Sequence, residues 1–176
     1  HTVHAWNRTQ SKADPLAALG IAVHATVAEA VRQADIVVSL LENGPAVEHV
    51  LFHAGAAQAM RPGTLFIDMA SIQPREARDH AARLGEMGLA HLDAPVSGGT
   101  VGAENGTLAI MAGGRAEDFA RAQPVFAALG RATHVGPHGS GQLAKLANQM
   151  IVGITIGAVA EALLFAAKGG ADMARV

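Results

Sequence analysis

The chain has 176 residues, half of them hydrophobic, and a formal net charge of −2. That length and composition exclude disorder and predict one domain with an appendage. The near-neutral charge, without basic runs or an aromatic platform, argues against nucleic acid or an anionic membrane as partner, and the lack of cysteine excludes disulfides, thiolate metal sites and thiol nucleophiles.

Thr2–Trp6 reads as the inside of a strand, closed by the polar turn Asn7-Arg8-Thr9, and no signal peptide stands before it. A short strand near Ile21–Val23 precedes Thr26-Val27-Ala28-Glu29, a capping box. Ile36–Leu41 is a continuous apolar run, which predicts a strand covered on both faces. Pro45 suits the first position of a helix reaching about His53. After the turn Arg61-Pro62-Gly63 comes the buried strand Leu65–Ile67, and Pro74 opens the next helix. There Ala77, Ala81, Leu84 and Met87 recur at helical spacing, and Gly88 is the stop.

Leu89–Asp93 is the next strand. Asn105-Gly106 marks a tight turn and Leu108–Ala112 a further strand. Phe119, Ala122, Phe126 and Leu129 predict a helix that Pro124 kinks or splits, and Thr133–Val135 is the last strand. Pro137-His138-Gly139 links to a long helix from Gly141 to Ala167. Its uninterrupted apolar part, Met150–Ala160, falls short of the roughly 20 residues that span a bilayer. The expectation is a buried helix of a soluble, cytoplasmic protein. Strands and helices alternate throughout, the pattern of a parallel α/β sheet.

Three places carry chemistry. Asp93-Ala94-Pro95-Val96-Ser97-Gly98-Gly99 is a strand end opening into a glycine-rich bend, whose amides and Ser97 hydroxyl suit a small carboxylate. Asn7-Arg8-Thr9 stands where a doubly wound dinucleotide fold holds the adenosine ribose. An arginine there accommodates a 2′-phosphate; the alternative is an ordinary solvated turn. Lys145, read alone, is a surface charge, but Leu143, Ala144, Leu146 and Ala147 flank it, with Asn148 at i+3 and Gln149 at i+4. Such surroundings suit proton transfer. The nine histidines include His49 and His53 at i,i+4, without a third ligand in register, so no metal is expected.

Together these residues resemble the β-hydroxyacid dehydrogenase family, through Trp6-Asn7-Arg8-Thr9, Gly44-Pro45-Ala46-Val47, Ile67-Asp68-Met69, Asp93–Gly99, Gly102-Ala103-Glu104 with Gly106-Thr107-Leu108, and Gly139–Gln149. The resemblance implies a Rossmann-like, doubly wound, mainly parallel sheet lacking its first βα unit and phosphate loop. Residues 1–138 would be that dinucleotide-binding domain, and residues 139–176 an interdomain helix with the start of a helical domain. It implies Lys145 as the catalytic proton donor and acceptor, and Ser97, Gly98, Gly99, Asn148 and Gln149 as substrate-binding. Asn7, Arg8, Thr9, Leu41, Glu42 and Ser71 would meet the cofactor, NADP, with NAD as the alternative. Glu42 stands where family members carry proline, and Ser71 where they carry threonine. The activity implied is hydride transfer between a short 3-hydroxy acid and its semialdehyde, in a homo-oligomer. Its rivals are an imine reductase, against which Lys145 argues, and a non-catalytic interaction module. The chain is expected to be a fragment of a longer enzyme, inactive alone.

Overall fold

The computed structural model describes residues 2–176. Strand β1 (His4–Ala5) pairs parallel with β2 (Ala22–Val23) as a separate ribbon. A six-stranded sheet follows the order β3 (Ile36–Ser39), β4 (Leu65–Asp68), β5 (Ala90–Asp93), β7 (Leu108–Gly114), β6 (Val96–Ser97), with β8 (Gly130–Gly136) also on β7. β3, β4 and β5 run parallel; β5 and β6 meet β7 antiparallel, and β8 lies parallel to β7. The helices are α1 (Gln10–Ala13), α2 (Val27–Val31), α3 (Gly44–Glu48), α4 (Ala56–Ala59), α5 (Pro74–Glu86), α6 (Gly99–Glu104), α7 (Ala116–Leu129) and α8 (Ser140–Lys168). Asp14–Leu19 is a 3-10 segment, and α3 runs on as a π-helical turn, His49–His53.

Local chemistry explains where the helices start. Thr26 and Glu29 close the predicted capping box on α2. The Asn43 side chain accepts the Ala46 N–H at 2.9 Å, capping α3 just ahead of Pro45. On α5, the Glu76 carboxylate accepts the Gln73 N–H at 2.8 Å beside Pro74. Ala77, His80 and Leu84 face inward there. Met87, expected on the same face, is exposed because the chain turns away at Gly88.

Alternation along β4 divides the interior between the two faces of the sheet. Phe66 joins Val31, Val47, Leu51, Ala77 and Leu84 from α2, α3 and α5. Leu65 and Ile67 point the other way, to Leu92, Ile110, Ala122 and Phe126. Each such large side chain contributes about 1.5–3 kcal/mol by leaving water, so both helical layers are held and the sheet is doubly wound.

Three expectations change. β3 is not covered on both faces: Val38 is 43% exposed, because β3 is an edge paired only with β4. α7 runs through Pro124 without splitting. Pro124 and Ala120 are both exposed, so the carbonyl left without an amide partner is open to solvent. The terminal helix is not buried. Only Gly141 and Gln142 are buried along α8, while Ile154 is 69% and Phe165 82% exposed. Its early turns pack on β7, β8, α5 and β5, and no described element covers the rest. α8 is long and apolar enough to cross a membrane by length and composition, its most apolar 18-residue window having a mean hydropathy of 2.1. The stretch from 150 to 160 understated that.

Candidate active site

The carboxyl ends of parallel strands are where open α/β sheets bind ligands. Most residues singled out from the sequence stand beyond such ends. Asn7, Arg8 and Thr9 follow β1 and are exposed, with the Asn7 side-chain oxygen accepting the Thr9 N–H at 2.9 Å. Leu41 and Glu42 follow β3; Leu41 packs against the core, while Glu42 is exposed. Ser71 follows β4 and is exposed. Ser97 lies in β6, a few residues beyond β5, opposite Ala109, and Gly98 (φ +135°) and Gly99 (φ +62°) turn the chain into α6. A residue with a Cβ would be strained at either glycine.

A polar row fixes the frame. Register aligns Ser39, Asp68 and Asp93 on β3, β4 and β5, two residues beyond the row Val37, Phe66 and His91. Asp93 is fully buried and accepts the Gly139 N–H at 2.8 Å and the Gln142 N–H at 3.0 Å. It therefore caps α8 from another strand, supplying an acidic partner for amides that no intrahelical carbonyl reaches. Burial pushes its carboxyl above the usual range, opposed by those two hydrogen bonds. The approach needs Gly141, where a Cβ would strike the carbonyl oxygens of Asp93 and Met111.

Gln142, one turn before the lysine region, is 1% exposed. Its Oε1 accepts the Ile72 N–H at 3.1 Å and its Nε2 donates to the Ala70 carbonyl at 2.9 Å. The Met69–Ile72 loop is thereby latched to α8. Behind the row, His91 is sealed between Phe66 and His138, whose Nε2 donates to the His91 carbonyl at 3.0 Å. Burial first, then the neighbouring histidines, lower the His91 pKa to about 3.

Asn43, Ser71, Gln73, Glu76, Lys145 and Gln149 line a cleft of about 410 Å³ between α3, α5 and α8. Lys145 is half-buried, and its Nζ donates to Gln149 Oε1 at 3.1 Å. Asn148 keeps a buried side-chain oxygen with no hydrogen-bond partner, an acceptor poised for a donor. The fold thus brings Lys145, Gln149 and Ser71 together. Ser97, Gly98, Gly99, Leu41, Glu42 and the Asn7–Thr9 turn do not line this cleft. Asp93, Gln142 and Asn43 position the site; Asp93 and Gln142 lie within runs singled out from the sequence, but not in this role, and Asn43 carried no signal. Among the described residues no three His, Asp or Glu side chains gather as a metal site.

Residues 1–137 match the NAD binding domain of 6-phosphogluconate dehydrogenase, and residues 139–176 the NAD-binding region of NADP-dependent 3-hydroxyisobutyrate dehydrogenase. The chain belongs to the β-hydroxyacid dehydrogenase family. It is 46% identical to the 2-hydroxy-3-oxopropionate reductase of Escherichia coli over 93% of its own length and 57% of that protein's. With the NAD-dependent L-serine dehydrogenase of Pseudomonas aeruginosa it shares 40% identity, over 98% of this chain and 58% of the other. The 3-hydroxyisobutyrate dehydrogenase of Mycobacterium tuberculosis, solved with L-serine, superposes with a TM-score of 0.93 at 38% identity, covering 98% of this chain and 59% of that one. The chain therefore spans less than two thirds of the length of these relatives.

Proposed function

We propose that the full-length protein is an NADP-dependent oxidoreductase that interconverts a short 3-hydroxy acid and its semialdehyde. The observation that carries this is Lys145, held in the cleft at the carboxyl end of the sheet by the Asp93 and Gln142 latches. The residues present fit a dinucleotide: β1, β3 and β4 present their carboxyl ends, and the Asn7–Thr9 turn offers an exposed guanidinium where NAD enzymes place an acid. The name of the L-serine dehydrogenase relative keeps NAD as the second reading. When bound, the nicotinamide supplies or accepts the hydride.

The chain's own residues do the rest. Lys145 gives a proton to the carbonyl oxygen as it becomes a hydroxyl, and takes it back in oxidation. Ser97, Gly98 and Gly99 hold the substrate carboxylate through amides and a hydroxyl, fixing the distance from carbonyl to lysine. Asn148 and Gln149 orient the hydroxyl or carbonyl; the unpartnered Asn148 oxygen supports that role. The bare apolar surface of α8 supports a homo-oligomer.

The test is a coupled assay of full-length protein with NADPH or NADH on short semialdehydes and cyclic imines. Turnover of a semialdehyde is expected, and Lys145→Ala lowers kcat by about 10²–10⁴ with NADPH affinity unchanged. Undiminished turnover in that variant removes the lysine's role, and reduction of imines alone favours the rival reaction.

A further inference from the structure

We propose that Asp68 is a positioning residue for the reaction inferred above: it acts as a neutral acid, and its ionisation disturbs the loop that brings Ser71 to the cleft and, through Asp93, the helix that carries Lys145. The inference rests on that functional reading, but its geometry stands independently.

Asp68 ends β4 and is fully buried. Its Oδ1 accepts the Ala70 N–H at 3.0 Å and faces the Ser39 hydroxyl at 3.5 Å, while Oδ2 is buried without a partner. Asp93, beside it in register, has both oxygens engaged by amides of α8. Two neighbouring carboxyls in a dry interior do not both ionise readily. The one with amides on both oxygens is better stabilised as the anion, so the proton falls to Asp68.

The surrounding charges agree. Asp93 from β5 and Glu76 from α5 both raise the proton affinity of Asp68, opposed by the Ala70 N–H and by the Ser39 hydroxyl of β3, which favour the anion. From α8, Gln142 meets the Ala70–Ile72 loop and Lys145 lies across it in the cleft. Burial is the largest cause, and the Asp68 pKa is pushed up to about 7.

The Met69–Ile72 loop is held from below by Asp68 at the Ala70 N–H and from the side by Gln142 at the Ala70 carbonyl and the Ile72 N–H. A charge on Asp68 places a second buried anion beside the carboxylate that caps α8. The Ala70 N–H bond itself tightens onto an anion, so the disturbance comes from repulsion between the two carboxylates and from the unpartnered Oδ2. Because the folded pKa lies above the ordinary 3.8, the folded state keeps its proton longer than the unfolded chain. This contribution to stability is full at low pH and is lost as pH rises from 3.8 towards 7.

The experiment compares full-length wild type with Asp68→Asn in turnover, KM and thermal unfolding from about pH 5 to pH 9. Wild-type kcat is expected to fall by up to about tenfold per pH unit above neutrality, while the variant stays level there and gains in Tm over wild type as pH rises. An alkaline limb that persists unchanged in Asp68→Asn assigns it to another group and overturns the proposal. Carboxyl carbon NMR on the unmodified protein decides the case even where the variant does not fold. A signal for Asp68 titrating near neutrality, with the Ala70 and Gln142 amides moving alongside, supports the proposal; ionisation in the ordinary carboxylate range overturns it. The NMR and unfolding readouts need no substrate, so an inactive protein whose Asp68 titrates near neutrality counts against the proposed reaction alone.

Discussion

The first turn of α8 and the remainder of the same helix are held by different physics. From Gly139 to Gln142 the backbone lies against β5, capped by Asp93 and clamped by Gln142, with little apolar side chain involved. From Leu143 to Lys168 the helix is rich in apolar residues, yet Met150, Ile151, Ile154 and Phe165 face water. Apolar content raises the need for burial without saying where burial occurs. Position is set by the short polar segment, and that segment is what places Lys145. A catalytic group carried one turn past a rigid latch keeps its geometry even when the rest of its helix has little to rest on.

Three substitutions sharpen or break this contrast. Gly141→Ala has the largest expected effect, because its Cβ has to displace two backbone carbonyls. A loss of about 3 kcal/mol is expected in urea unfolding, and a loss near zero means that α8 does not pack as tightly on β5 as described. Asp93→Asn comes next. One oxygen still accepts, but the amide nitrogen meets an N–H of α8 as donor against donor. About 2 kcal/mol of stability goes, with a fall in turnover of full-length protein; equal stability shows that the helix cap is dispensable. Gly153→Ala carries the opposite sign. Nothing lies within 4 Å of a Cβ there, so better helix propensity stabilises by up to about 1 kcal/mol. Destabilisation at Gly153 on the scale of Gly141 reveals a packed neighbour on the exposed half.

Much of the frame was readable in the sequence because its causes are local. The Thr26–Glu29 box, Pro45, Pro74 and the Gly88 stop each act within a few residues, and the chain obeys them. The apolar run through Leu65–Ile67 is buried on both faces, but the similar run at β3 is not, since coverage depends on which strand ends up at the edge. Pro124 marks a break that never comes, because its helix position faces solvent. The site was legible as residue types at strand ends and a lysine among apolar neighbours. The latch was not, as Asp93 and Gln142 act across 46 to 72 residues of chain. Such pairings leave no periodicity to detect.

The bare length of α8 also governs how the isolated chain behaves in a test tube. A helix that is apolar around most of its girth offers neighbours no preferred side. Copies crowding together in buffer would stick in many orientations and scatter into clumps of mixed size, and a mild surfactant coating the helix would disperse them.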